Sequence, residues 1–203
     1  MHEVIVGNRV VTPSKIVCVG RNYYAHIEEL GSQVPDQMIL FSKPNSSISN
    51  QLSSHQGEQL HYEGELCFLF ENGRFSAVGF GLDLTKRKLQ SILKEKGLPW
   101  ERAKAFDGSA VFSKFIEIFE ATTEMTFELK KNGDIVQIGH TELMIHKPQE
   151  ILSEIFTFMS LDDGDIVMTG TPKGVGTIDK GDVFSSIVKN NEQIIIEETW
   201  VAV

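Results

Sequence analysis

The feature that most constrains this chain is its punctuation: short apolar or alternating runs separated by pairs of Gly and Asn. Val4-Ile5-Val6, then Gly7-Asn8, then Arg9-Val10-Val11 reads as a tight hairpin, because Gly and Asn supply the positive φ that a two-residue turn requires. The same pattern recurs at residues 126–131 and 134–138 around Asn132-Gly133, and at 183–188 and 194–201 around Asn190-Asn191. Both ends of the chain are therefore expected to be mainly β. Only two segments carry a convincing helical period. One opens at Pro148 and repeats Ile151, Leu152, Ile155, Phe156 and Met159; the other starts with Thr85 as N-cap, sets Leu89, Ile92 and Leu93 on one face, and stops near Gly97 and Pro99. Residues 23–30 add a turn or two of helix. The Ser-, Gln- and Asn-rich stretch from Asn45 to His61 is expected to be a long surface loop. With 203 residues and no internal repeat, the whole chain, 1–203, is expected to be one domain of mixed, mainly β structure with a few short helices.

Charge and motifs narrow the function classes. Nineteen Lys and Arg against 28 Asp and Glu leave a net charge of −9, the wrong sign for holding polyphosphate by bulk attraction, so nucleic acid is not an expected partner. No run approaches the ~18 apolar residues of a membrane span, and the first eleven residues lack the basic start and apolar core of a targeting peptide, so the expected location is cytoplasmic. Cys18 and Cys67 each sit inside an apolar run, where a buried, reduced thiol is the expectation. A nucleotide cofactor has no support. Gly79-Phe80-Gly81 has Leu84 where a dinucleotide fingerprint needs its third glycine, and Gly170 through Val175 lacks the Gly-Lys-Ser/Thr ending of a P-loop.

The chemically informative stretch is His61-Tyr62-Glu63-Gly64-Glu65-Leu66-Cys67. On a strand, Glu63 and Glu65 point to one face with Cα atoms about 6–7 Å apart. Alternating Glu on a half-exposed strand is the ordinary explanation. Asp83 shifts the balance, because it ends a second apolar run, Val78 to Leu82, immediately before a helix. Three carboxylates sharing one environment repel one another unless a cation lies between them, and a hard divalent ion prefers carboxylate oxygens.

Taken in order, Val19-Gly20-Arg21-Asn22-Tyr23, Glu63-x-Glu65, Gly81-Leu82-Asp83-Leu84-Thr85 and Thr169-Gly170-Thr171-Pro172-x-Gly174-Val175-Gly176 resemble the fumarylacetoacetate hydrolase superfamily. The likeness is greatest to its small acylpyruvate hydrolase and oxaloacetate decarboxylase branch and runs from about Lys15 to the C-terminus. It implies a β-roll around a metal centre, usually a homodimer, with Mg²⁺ or Mn²⁺ held by Glu63, Glu65 and Asp83. Gly64 departs from the larger apolar residue that the family usually places between its glutamates.

Three carboxylates and a divalent ion still sum to one negative charge, so an anionic substrate needs further cations. The resemblance supplies them: Lys104 near the metal as stabiliser of an oxyanion, and Arg21, Lys43 and Arg87 in basic positions for substrate. Arg87 lacks the adjacent acid common in the family, since Lys88 stands there. Thr171 resembles the residue that meets the substrate carboxylate. His26 and Glu29 are three residues apart, hence neighbours on a helix, and a carboxylate beside an imidazole fixes its tautomer and raises its basicity. By resemblance His26 is the general base and Glu29 its orienting partner. The function implied is Mg²⁺-dependent hydrolysis of a carbon–carbon bond in acylpyruvates, releasing pyruvate, alongside oxaloacetate decarboxylation through the same enolate. Two alternatives are an isomerase of 2-hydroxyhepta-2,4-diene-1,7-dioate and a non-catalytic protein that binds 2-oxo acids.

Overall fold

A computed structural model describes residues 1–31, 33–119 and 124–203. In chain order the elements are β1 (Val4–Val6), β2 (Arg9–Val11), β3 (Lys15–Gly20), α1 (Tyr24–Glu29), β4 (Ile39–Pro44), β5 (Ile48–Ser49), β6 (His61–Tyr62), β7 (Gly64–Glu71) and β8 (Arg74–Asp83). Then follow α2 (Arg87–Glu95), α3 (Glu101–Lys104), β9 (Ala110–Phe112), β10 (Ile116–Glu117), β11 (Met125–Lys131), β12 (Asp134–His140), α4 (Pro148–Ile155), β13 (Ile166–Met168), β14 (Gly176–Thr177), β15 (Val183–Asn190) and β16 (Gln193–Val201). The fold is mainly β with few helices, and the three hairpins form where the turn residues placed them. Gly7, Asn132, Gly133 and Asn191 all carry positive φ.

The large sheet runs β4-β3-β13-β7-β8-β9-β5, with β10 beside β8. Its central strands β7 and β8 are buried on both faces, which explains why their sequences read as continuous apolar runs rather than alternating ones. One face presents Leu66, Phe68, Phe80 and Leu82 to the four-stranded sheet β12-β11-β15-β16, where Phe80 meets Phe127 edge-on with ring centroids 5.1 Å apart. On the other face Cys67, Leu69 and Ala77 join Cys18, Ile16 and Met168 of the neighbouring strands, with Val4, Val6 and Phe115, in a smaller cluster. Both cysteines are buried and free, as expected.

Register across β7 and β8 decides what stands at the end of that second face. The strands pair antiparallel from Glu71↔Arg74, and between Leu69 and Phe70 the register slips by one, because Phe70 pairs with Phe75 while Leu69 pairs with Ala77. Ser76 is the extra residue, a β-bulge. From there Glu65 opposes Gly81, and the Asp83 amide donates to Glu63 O at 2.8 Å. Directly opposed residues share a face, so Glu63, Glu65 and Asp83 emerge on one side, beyond Cys67.

Four expectations change. The stretch 45–61 is not simply a surface loop: Asn45–Ser47 form a 3-10 turn, β5 pairs parallel with β9, and Ile48, Leu52 and Leu60 are buried. Isolated apolar residues without period hid this. Thr85 does not cap α2, whose first residue is Arg87; its backbone pairs with His61 and its hydroxyl turns inward. The buried residues of α2 are Gln90 and Leu93, while Ile92 is exposed, so a polar group takes part in the inward stripe. α4 begins at Pro148 and ends at Ile155, short of Met159. Among the described residues no helix is long and apolar enough to cross a membrane.

Candidate metal centre

Glu63, Glu65 and Asp83 converge, with a carboxylate oxygen from each lying within 4.8 Å of the others, and all three are buried. Their surroundings differ. Glu63 has Lys104 Nζ at 2.7 Å on Oε2 and the Arg87 guanidinium on Oε1. Burial alone would raise its pKa, but Lys104 and Arg87 outweigh it and hold the carboxyl well below the usual carboxylate range. Among the described residues Glu65 has no cationic partner in hydrogen-bonding contact; its Oε2 accepts the Gly170 amide at 2.7 Å. Burial, followed by the charges of Asp83 and Glu63, pushes its pKa well above the ordinary value. Asp83 Oδ2 receives Lys104 Nζ at 2.7 Å, and Lys43 Nζ stands 2.8 Å from Oδ1, an ion pair without hydrogen-bond geometry, so that oxygen accepts no hydrogen bond.

This donor set fits a hard divalent cation: three buried oxygen ligands within reach of one point, one of them, Glu65, with no counter-charge in hydrogen-bonding contact among the described residues. Mg²⁺ and Mn²⁺ both accept all-oxygen sites of this kind.

The residues around the triad are placed by specific contacts. Lys104 spends three short contacts on Glu63, Asp83 and Thr85, each at 2.7 Å. These are all the donors an ammonium has, so Lys104 here aligns two carboxylates rather than presenting a free donor to an oxyanion. Burial opposes its charge, yet Asp83 and Glu63 keep its pKa above that of an ordinary lysine. Lys43 is fully buried, bonded to Ser109 O and Ser109 Oγ at 3.1 Å and to Lys104 O, and lies behind Asp83 rather than along the pocket. Arg87 does find an acid, but across the fold at Glu63, with Gln90 Oε1 accepting from its other nitrogen at 2.8 Å.

Gly64 is required by space: a Cβ there would meet Phe80 Cζ at 2.9 Å, Gln137 Oε1 at 3.0 Å and Leu129 Cδ2 at 3.1 Å. Its amide donates to Gln137 Oε1 at 2.8 Å and its carbonyl accepts from Thr171 Oγ1 at 2.9 Å, so the backbone between the two glutamates is pinned rather than loose. Gln137 in turn donates to Thr171 Oγ1 and Pro172 O.

His26 Nδ1 lies 3.1 Å from Glu29 Oε2, and Glu29 Oε1 accepts the Gly174 amide at 2.9 Å. The pair predicted from the three-residue spacing is therefore formed and anchored to the turn that also carries Thr171. Burial, the largest influence, lowers the His26 pKa against the opposing pull of Glu63 and Glu29. The imidazole is neutral at pH 7, with Nε2 left for chemistry.

A small pocket opens over the triad, with a cavity volume of about 30 Å³. Its lining contains the sequence candidates Arg21, His26, Glu63, Glu65, Asp83, Arg87, Lys104 and Thr171. Arg21 enters with φ +57°, an unusual conformation for a side chain of its size. Phe41 also lines the pocket, whereas Tyr24 is exposed and Phe106 lies under Lys86. Gln90, Lys94 and Trp100 line it too and were not singled out by the sequence. The spacing Arg87, Gln90, Lys94 is a three-then-four helical step that could have revealed them, had the polar rather than the apolar stripe of α2 been followed.

At the end of its central hairpin this roll of sheet gathers three carboxylates suited to a metal ion, a His–Glu pair and several cations, the makings of an enzyme site. The chain belongs to the fumarylacetoacetate hydrolase family: the model for the fumarylacetoacetate (FAA) hydrolase C-terminal domain matches residues 15–197. It is 41% identical over 188 residues to the oxaloacetate tautomerase YcgM of Escherichia coli, covering 83% of this chain and 85% of that protein. It is 34% identical over 238 residues to a mitochondrial oxaloacetate tautomerase of Saccharomyces cerevisiae, covering 93% and 92%. A solved fumarylpyruvate hydrolase from Pseudomonas aeruginosa, in complex with Mn²⁺ and pyruvate, superposes with a TM-score of 0.88 at 26% identity over 100% of this chain and 95% of that one.

Proposed function

We propose that this protein catalyses enol formation on a 2-oxo acid, with the keto–enol interconversion of oxaloacetate as its main reaction. The observation that carries the reading is the buried carboxylate triad beside a neutral His26 whose Nδ1 is held by Glu29. The relatives named oxaloacetate tautomerase support oxaloacetate as the substrate. Glu63, Glu65 and Asp83 would hold a divalent ion, which when bound would supply Lewis-acid stabilisation of negative charge on a 2-oxo oxygen. His26 Nε2 takes a proton from the carbon beside the 2-oxo group, and the oxygen receives a proton in return. One C–H bond is broken and one O–H bond formed, with no atom gained or lost. Lys104 and Arg87 keep Glu63 ionised and oriented throughout, and the Gly170 amide does the same for Glu65. Thr171 and Arg21 line the same pocket.

A second reading, hydrolysis of acylpyruvates, is favoured by the His26–Glu29 pair, which is also suited to deprotonating water for attack on a distal carbonyl. Its support includes the likeness to the fumarylpyruvate hydrolase. Purified protein incubated with oxaloacetate and with acetylpyruvate, each with and without Mg²⁺, separates the readings. Enol absorbance follows tautomerisation, and pyruvate release follows cleavage or decarboxylation. Metal-dependent enol–keto relaxation of oxaloacetate faster than pyruvate release supports the first reading. Pyruvate from acetylpyruvate as the faster reaction favours the second, and no metal-dependent change in either compound overturns both.

A further inference from the structure

The cations of the pocket fall into two groups. Lys43, Lys104 and Arg87 each contact a carboxylate of the triad. Arg21 and Lys94 contact no carboxylate among the described residues, although both are partly buried in the same pocket. Arg21 spends one nitrogen on Gln33 O at 3.4 Å, and its Nε is buried without a hydrogen-bond partner. Lys94 rests over the Trp100 ring, 5.0 Å from its centroid. Trp100 packs on Phe41 at 5.9 Å, and Lys104 Nζ stands 5.6 Å from the Phe41 ring. Two ammonium groups thus bracket one aromatic pair, Lys104 at the end that touches the triad and Lys94 at the end remote from it. Trp100 packs over Gly20, where a Cβ would stand in ordinary contact with its ring, 3.5 Å from Cζ3.

We infer that Lys94, seated on Trp100 with Arg21 beside it, receives the second carboxylate of a 2-oxo dicarboxylate, so that the pocket selects dianions over monoanionic 2-oxo acids. The inference rests on the proposed site for 2-oxo acids and adds the residue that reads the far end of the substrate. Among the described residues the Lys94 ammonium has no anion in contact and is an incomplete pair, and it lines the same pocket as the triad, so a substrate seated on the triad shares that cavity with it. The aromatic face holds the cation without neutralising it, and so keeps it available to an anion.

The test compares lactate with malate, which differ by one carboxylate and undergo no enolisation, binding to the Mn²⁺-loaded protein by calorimetry. Malate is expected to bind at least about tenfold more tightly than lactate, as a charge-assisted hydrogen bond allows. Lys94→Met is expected to erase most of that preference while weakening lactate less than threefold, and Lys94→Arg to restore it. Malate binding no tighter than lactate, or a preference that survives Lys94→Met, would overturn the inference. Turnover of oxaloacetate, measured separately on the wild type, decides the proposed function. A protein that prefers malate through Lys94 but leaves oxaloacetate unchanged would keep this inference and reject that reaction.

Discussion

Glu63 and Asp83 stand directly opposite each other across the β7–β8 pair, with the Asp83 amide donating to the Glu63 carbonyl, because one extra residue, Ser76, has been inserted into β8. In an unbroken register continued from Glu71↔Arg74, Leu82 would oppose Glu63 and Asp83 would point into the apolar face, since a one-residue slip exchanges the two faces of a strand. Deleting Ser76 is therefore expected to abolish stoichiometric Mn²⁺ binding, measured by electron paramagnetic resonance. Ser76→Ala, which keeps the bulge, should retain it. Retained binding in the deletion variant would mean that the register is set elsewhere.

Lys43 is expected to matter for stability more than for substrate. Its ammonium is fully buried against Asp83 and the Ser109 oxygens, and it stands outside the pocket lining. Removing one partner of a buried ion pair costs roughly 3 kcal/mol. Lys43→Met should lower the denaturation midpoint by that measure in urea titrations. Unchanged stability with a raised KM would instead assign Lys43 to the substrate, as the resemblance implied.

His26 gives the pH profile its sign. Burial lowers its pKa from 6.5, so the neutral base persists below that pH, and kcat/KM for metal-loaded protein should hold on the acid side past 6.5 before it falls. Glu29→Gln removes an influence that raises the pKa, and the acid limb should move further down while the rate drops. His26→Ala should cost about 10²–10⁴ in hydrolysis or enolisation and leave Mn²⁺ affinity within threefold. A greater loss in decarboxylation than in hydrolysis would contradict its assignment as the base.

Much of the site was legible in the chain because its chemistry is local. Glu63 and Glu65 announce a shared face by alternation, and His26 and Glu29 announce a pair by helical spacing. The turn residues Asn132-Gly133 fixed a hairpin unaided. What stayed hidden depends on contacts between distant segments. The bulge at Ser76 has no compositional mark, yet it alone brings Asp83 round to the glutamates. Arg87 looked partnerless because its acid, Glu63, is 24 residues away in sequence. Thr85 looked like a cap because Ser and Thr before a helix usually are, and only the arrival of Lys104 from α3 draws its hydroxyl inward. Lys94 was not singled out in the sequence, because what sets it apart is Trp100 folding beneath it.

The most direct test is a Mn²⁺ titration of the wild type and of Asp83→Asn across pH. Burial and the charges of Asp83 and Glu63 raise the Glu65 pKa, so protons compete with the metal for this carboxylate and affinity should weaken as pH falls, by up to tenfold per pH unit where one proton is displaced. One ion per chain, bound with this pH dependence and largely lost in Asp83→Asn, is the predicted result. Equal binding by the two proteins, or none by the wild type at any pH, would contradict the triad as a metal centre.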